Sequence, residues 1–405
     1  MTNGNNVLDY TQEGRTEIII KGELCMKFKI PVDELQGIIN LLGITAKVNT
    51  KEVAGRVLIE AKNNSVFFLS NNLSTGISIT TTKVEVEEEG SASVVFGKIK
   101  SFVSPFTLWD EDKGEGAKHF NFKGDERHII LTVRNKYSNG KVSNGRVKLD
   151  SFNSASILRP TDFTNPTFSL SANAFKAAIG KVLYAVDANC MAPALRGMCI
   201  RFTEDRIYFV GTNGAVLSEY AIDNICDLKE GSFVVKLDFM MGLRRLIVPD
   251  MELSFEFTDK DVKVKSGDIM FWGKLLIGTQ YPEYSHMFED FDYEITIDKM
   301  ILMSNLVPLM DVLDPSDSNR IVFKIEDKKI SLYNDVGSFI CDCDFSFPRE
   351  IIATLDGTSM FKTIDSIQDE NIVIKFSEDT LKSFIFDSDT YHDQKSIVSP
   401  LKTRH

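Results

Sequence analysis

One local order of elements is written three times along this chain. Each copy opens with a short apolar strand running into an amphipathic helix: Phe28-Lys29-Ile30-Pro31-Val32-Asp33-Glu34-Leu35, Phe168-Ser169-Leu170-Ser171-Ala172-Asn173-Ala174-Phe175, and Ile295-Thr296-Ile297-Asp298-Lys299-Met300. Two strands around a polar turn follow, at residues 56–72, 196–213 and 320–334, with turns at Asn63-Asn64, Glu204-Asp205 and Glu326-Asp327. A strand leading into a short helix comes next, at 93–102, 232–246 and 351–367, and then an antiparallel hairpin near 129–149, 253–275 and 372–398. Three units with one internal order imply an object built by repetition, which bounds the function sharply.

Residues 1–24 precede the first copy, with 17–20 read as an edge strand. The units then run 25–164, 165–290 and 291–405, three in a chain whose 405 residues allow about two to four. Their boundaries fall where prolines and acids break the periodic segments, at Arg159-Pro160-Thr161-Asp162-Phe163-Thr164-Asn165-Pro166 and across 282–292. The first unit is the longest, its excess lying in the Gly-, Lys- and Asp-rich stretches 109–124 and 137–145, which read as loops. Alternation marks strands at 80–88, 253–265 and 321–333. Phe175, Ile179, Val182, Leu183 and Val186 form the apolar face of a helix over 171–186 with Ser171 as its N-cap. A helix over 298–313 contains Pro308, which is expected to kink or split it. With about eight strands and two helices per unit, the fold class is α+β, helices gathered on one side of antiparallel sheets.

A composition of 43% hydrophobic and 26% charged residues is that of an ordinary globular protein. Apolar runs such as 300–303 and 239–243 fall far short of the roughly 20 residues that span a bilayer, and the polar N-terminus lacks a signal-peptide pattern, so the chain reads as cytoplasmic. The six cysteines (25, 190, 199, 226, 341 and 343) show no framework and read as reduced thiols; Cys341 and Cys343 share one face of a strand, a buried face rather than a metal site. No catalytic constellation stands out. His119 and His128 lie in or beside a loop, and His286, His392 and His405 are isolated. Gly211-Thr212-Asn213-Gly214 lacks the lysine of a phosphate cradle and reads as a tight turn, while Asp110-Glu111-Asp112 and Asp387-Ser388-Asp389 read as solvated loop charge. Neither an enzyme nor a cofactor protein is indicated. The net charge of −12 speaks against nucleic acid at long range but does not say where the basic residues sit.

The stretch Val264-Lys265-Ser266-Gly267-Asp268-Ile269-Met270-Phe271-Trp272-Gly273-Lys274-Leu275-Leu276-Ile277-Gly278-Thr279-Gln280-Tyr281-Pro282-Glu283-Tyr284 resembles the end of the middle domain of bacterial-type DNA polymerase III sliding clamps (the β clamp). Leu195-Arg196-Gly197-Met198 and Val210-Gly211-Thr212-Asn213-Gly214-Ala215-Val216-Leu217 are similar to that domain's other signature, and Met26-Lys27-Phe28 to the usual N-terminus, which makes residues 1–25 an extension. The resemblance implies the DNA clamp fold: a head-to-tail homodimer of three-domain chains, with helices lining a ring pore and sheets outside. Such a ring holds double-stranded DNA by topology, so weak, sequence-independent phosphate contacts suffice. The implied pore cations are Lys98 and Lys100 in the first unit, Lys176, Lys181, Lys236, Arg244 and Arg245 in the second, and Lys299 and Lys362 in the third.

The resemblance also implies an apolar pocket that takes short linear motifs from the DNA polymerase and clamp loader. Leu195, Thr212, Gly214, Leu217, Pro282 and Met287 match one wall, and Val398, Ser399, Pro400 and Leu401 match the C-terminal strand that completes it. The chain departs from the family pattern at Ala215-Val216, where a His-Arg pair is common, at Pro193-Ala194, where an aromatic pair is expected, and in running on through Lys402-Thr403-Arg404-His405. Altered partner preference and a divergent, phage-carried clamp are the corresponding expectations. Leu309 and Met310 would serve the homodimer interface, with 100–106 as the partner surface. A cytoplasmic, nucleoid-associated processivity factor without membrane contact is therefore expected; the rivals are a trimeric ring of two-domain chains and a viral structural or assembly protein of repeated sheets.

Overall fold

The computed structural model describes residues 8–10, 16–18, 26–47, 50–124, 127–224, 230–278, 280–289, 291–312, 319–342, 345, 347, 349–390 and 393–401. His392, His405, Cys25, Cys226, Cys343, most of the 1–24 extension and residues 402–405 lie outside them. Two compact units form: Met1–Asp162 with Lys265–Trp272, and Phe163–Val264 with Gly273–His405.

The element order of the sequence recurs three times. Met26–Pro31 enters α1 (Val32–Leu42) and Gly90–Val95 enters α2 (Phe96–Val103). Phe168–Ser171 enters α3 (Ala172–Val182) and Gly231–Lys236 enters α4 (Leu237–Leu246). Tyr293–Asp298 enters α5 (Lys299–Asp311) and Ile351–Asp356 enters α6 (Gly357–Ser366). Local chemistry explains the starts. Ser171 accepts from Ala174 N at 3.2 Å, Asp298 from Met300 N at 2.7 Å, and Asp356 from Ser359 N at 2.7 Å, each cap contributing about 1 kcal/mol. The helix expected over 171–186 stops at Val182 and tightens into a 3₁₀ turn, Leu183–Ala185. α5 runs through Pro308 without a break.

A threefold signature that the sequence reading did not single out ends the central hairpin of each repeat. Asn72 Oδ1 accepts from Ser74 N (3.0 Å) and Thr75 N (2.8 Å); Asn213 Oδ1 accepts from Ala215 N and Val216 N (both 2.9 Å); Asn334 Oδ1 accepts from Val336 N (3.0 Å) and Gly337 N (2.9 Å). The asparagine side chain mimics a backbone turn at the same place each time.

In the first unit a five-stranded antiparallel sheet runs in the order Val142–Asp150, His128–Lys136, Gly116–Gly124, Met26–Pro31, Glu85–Glu88. This corrects three expectations. Residues 116–124 and 142–145 are strand, not loop, because Ala117, Phe120 and Phe122 alternate inward beneath the polar residues that masked them. The alternation over 80–88 splits into Thr75–Thr81, paired with Ser65–Asn71, and Glu85–Glu88, paired with Met26–Pro31. Asn63 and Asn64 both take positive φ (51° and 52°), the conformation that closes a two-residue hairpin. In the third repeat the turn lies at Asp327-Lys328, one residue later than expected, with Lys328 at φ 60°.

In the second unit Val216–Asp223 pairs with Gln394–Val398, from Val216↔Val398 to Tyr220↔Gln394. That pairing fuses four strands of the second repeat with four of the third into one eight-stranded sheet. The third repeat adds a four-stranded sheet whose edge strand is Ser338–Asp342. Its core gathers Leu302, Leu306 and Leu309 of α5 with Phe323, Met360, Ile364 and Phe376. Leu309 is 1% exposed, so it is a core residue and not part of a free surface, which corrects its assignment to an interface; Met310 is half-buried beside it. Leu309→Ala is expected to cost about 2–5 kcal/mol by leaving a cavity, read as a lowered urea midpoint; a change below 1 kcal/mol, roughly the scale of a surface substitution, would return Leu309 to the surface.

Candidate functional site

The cations expected to face DNA divide into three groups. Lys100 on α2, Lys176 on α3, Arg244 and Arg245 in the last turn of α4, and Lys362 on α6 are exposed, and among the described residues none has a carboxylate partner. Lys98 is exposed but lies 3.5 Å from Asp150, and Lys236 is half-buried at the start of α4. Lys299 and Lys181 are committed elsewhere. Lys299 donates to Asp365 O (3.2 Å) and Ile367 O, stabilising the C-terminal end of α6. Lys181 is 8% exposed, 3.7 Å from Asp393 and 4.2 Å from the Tyr220 ring. Burial pulls its pKa below the ordinary lysine range while Asp393 opposes the shift. Lys181 is thus a buried, paired cation, a correction that required knowing where Asp393 folds.

Of the residues matched to an apolar pocket, Thr212, Gly214, Leu217, Val398 and Ser399 meet at the Asn213 turn. Thr212 donates to Val216 O (2.6 Å) and accepts from Gly214 N (3.1 Å), and Gly214 takes φ 91°, where a side chain would be strained. Leu217 stands opposite Ile397, and Val398 opposite Val216. The chain continues through Ser399, whose N–H donates to Ala215 O (2.8 Å), to Pro400 and Leu401, whose N–H donates to Thr354 O (2.7 Å). Leu195 lies in the turn Pro193–Leu195; the loop before it is tied to the same place, with the Cys190 thiol 3.8 Å from Asn213 O and Arg196 Nε donating to Cys190 O at 2.7 Å. Met287, 39% exposed, lies in the turn Ser285–Phe288, and Pro282 is exposed. Met191, next to Cys190, and Leu381, two residues before Ser383 whose hydroxyl lies 3.1 Å from that of Ser399, are 95% and 78% exposed, apolar side chains that no periodicity marks.

The segment 281–288 is held by a polar network inside an apolar cluster. Tyr281 and Tyr284 pack with Cys199, Val210, Leu217 and Ile397. Tyr284 donates to Glu219 at 2.7 Å, and Arg201 stacks 4.3 Å from the Tyr208 ring with its guanidinium 3.8 Å from Glu219. Burial raises the Glu219 pKa, opposed by the Tyr284 hydroxyl and then by Arg201. Burial pushes the Cys199 thiol up to about 12, which makes it inert in the fold. Glu219→Gln keeps an acceptor for Tyr284 and is expected to be tolerated, whereas Glu219→Ala strands the buried hydroxyl and costs about 1–3 kcal/mol. Equal thermal shifts for the two variants would contradict this.

The first repeat differs at the matching place. Where the second repeat has Leu217 opposite Ile397, the first has Gly76 against Trp272: a Cβ on Gly76 would stand 2.1 Å from the indole. Trp272 packs there with Val53 and Phe67 over Leu58, Leu69 and Ile157. Among the described residues no group of His, Cys, Asp or Glu could hold a metal ion, and no helix is long and apolar enough to cross a membrane.

No protein-family model matches the sequence, and no curated protein matches it. Solved structures do. The DNA polymerase sliding clamp of Bacillus subtilis aligns with TM-score 0.82 at 13% identity, covering 94% of this chain and 100% of that one. The DNA polymerase III subunit beta of Pseudomonas aeruginosa aligns at 0.81 and 15%, over 93% and 100%, and that of Thermotoga maritima at 0.77 and 17%, over 94% and 100%. A further Pseudomonas clamp structure, similar at TM-score 0.80 and 16% identity, is bound to griselimycin. The chain therefore has the sliding-clamp fold over nearly its full length, at an identity that marks a divergent sequence. It is similar to the beta subunits of bacterial DNA polymerase III.

Proposed function

We propose that this protein is a DNA sliding clamp, a non-enzymatic processivity factor that encircles duplex DNA and tethers a DNA polymerase. In this reading the repeats 25–164, 165–290 and 291–405 are three clamp domains, and two chains close head to tail into a ring acting in the cytoplasm with the nucleoid. The observation that carries it is the threefold strand–helix order in a fold matching whole clamp chains. Helix cations that have no carboxylate partner among the described residues (Lys100; Lys176, Arg244 and Arg245; Lys362), in every repeat, support it, since a topological tether needs only weak phosphate contacts. Particle images showing a six-lobed annulus are the test; a compact particle without a channel would end the reading.

The apolar surface that Met287 and Leu401 offer is the proposed seat for linear motifs of the polymerase and the loader; Leu217 and Val398, matched to its walls, are buried at 4% and 1% exposure and would support it from beneath. Exposed Ala215 in place of a polar pair favours peptides that rely on apolar anchors. Met287→Glu is expected to weaken a clamp-binding peptide at least tenfold with the melting temperature unchanged, a penalty of about 1.4 kcal/mol or more; unchanged affinity would move the pocket elsewhere. For the homodimer, exposed apolar side chains beside Met310 are better candidates than Leu309: Val312 (58% exposed) after α5 and Ile340 (65%) on the edge strand Ser338–Asp342. Val312→Asp with Ile340→Asp is expected to sediment as a monomer; a persistent dimer would exclude this face.

A further inference from the structure

The first unit carries a second charged surface, on the face of its five-stranded sheet that is turned away from the core. His128–Lys136 and Val142–Asp150 pair so that even-numbered residues share one face: Ile130↔Lys148, Thr132↔Arg146 and Arg134↔Asn144. Gly116–Gly124 extends the first of these rows through Ile130↔Lys123. The other face is apolar, with Phe120, Phe122, Ile129, Leu131, Val133 and Leu149 buried. The outward face thus presents Lys123, Arg134, Lys136, Arg146 and Lys148 on three adjacent strands, all exposed, none with a carboxylate partner among the described residues.

Several cations on other strands are neutralised. On the next strand Lys27 and Lys29 are neutralised by Glu87 and Glu85, and in the third repeat Lys324 is held by Glu326 and Glu350, which push its pKa up. Asp150, the acid on Val142–Asp150, is already drawn 3.5 Å from Lys98. In a chain of net charge −12, five unpaired cations on one flat face form a local field that attracts a polyanion. Their spacing suits an extended strand of phosphates. Arg134 and Lys136, and likewise Arg146 and Lys148, stand about 7 Å apart along the strands, and neighbouring strands lie about 4.8 Å apart. Half-buried Trp109 lies at one end, with Lys118 4.2 Å from its ring.

We propose that this face binds single-stranded nucleic acid, cations tracking the backbone and the partly exposed Trp109 offering a stacking surface for an unpaired base at its end. An acidic protein segment would use the cations but not the aromatic end. The helices α1 and α2 are not involved, so the site stands whether or not the helices surround a duplex.

Fluorescence anisotropy of a labelled oligo-dT on the full chain tests the idea. Five phosphate contacts give a slope of log affinity against log salt of about −3.5 for a single strand. Lys123→Glu with Arg146→Glu and Lys148→Glu is expected to weaken binding at least tenfold and reduce the slope by about 2. Lys260→Ala with Lys329→Ala, which alters exposed lysines outside both this face and the helices, should leave oligo-dT binding unchanged. Should the triple reversal compromise folding, Arg146→Ala and Lys148→Ala singly are each expected to reduce the slope by about 0.7. Equal binding by wild type and sheet variants, or capture of poly-glutamate in preference to oligo-dT, would overturn the proposal. Failure to be retained on circular duplex DNA would count against the clamp reading alone.

Discussion

Loaded onto a nicked circular plasmid, the protein is expected to stay through a high-salt wash and to be lost once the plasmid is cut. Magnitudes make this decisive. A protein held by about 6–10 phosphate contacts loses roughly 10³–10⁵ in affinity between 50 and 200 mM salt, whereas a closed ring on a circle has no free end to leave by. The exposed helix cations Lys100, Lys176, Arg244, Arg245 and Lys362 are too few for a grip that survives such a wash. Retention on circles, if seen, must be topological. Gel filtration of the loaded plasmid before and after linearisation reads the outcome. Equal loss from circle and linear duplex would show a direct binder and sink the ring, while equal retention on both would show tight binding and do the same. Charge reversal at Arg244 and Arg245 should slow loading without shortening retention on a circle, because the tether does not depend on any one contact.

Glu256→Ala is expected to be the most destabilising single polar substitution in the second unit, by about 3–5 kcal/mol. Glu256 and Lys263 are 7% and 3% exposed and 3.4 Å apart, and Glu256 also accepts from Thr164 N at 3.0 Å. Removing the carboxylate strips a buried ammonium of the acid 3.4 Å from it, and a folded domain has only about 5–15 kcal/mol to lose. Glu256→Gln keeps an acceptor for Thr164 but not the charge, and is expected to fall between wild type and Glu256→Ala. Replacing both partners by leucine should recover much of the loss, since a buried pair is offset by its own desolvation. Urea midpoints for wild type and the three variants read this directly. A loss under 1 kcal/mol for Glu256→Ala would show that water reaches the pair.

What the sequence determined by itself was whatever short-range periodicity and capping encode: three copies of strand, helix, hairpin and strand, the cap at Ser171, and the two-residue turn at Asn63-Asn64. These depend on residues a few positions apart, so no tertiary knowledge was needed. The clamp resemblance in 264–284 lay at the same level, a run of adjacent residues. Only the tertiary structure decided which side chains were free. Lys181 resembles any helix lysine until the loop carrying Asp393 folds against it, and Leu309 resembles an exposed apolar residue until Phe323 and Met360 close over the helix. The strand at 116–124 was hidden because its glycines and lysines dominate composition while the buried Ala117, Phe120 and Phe122 dominate energy. The basic face became visible only when pairing placed Lys123, Ile130 and Lys148 in one row. Charge and exposure are properties of neighbours in space, and those neighbours lie far away along the chain.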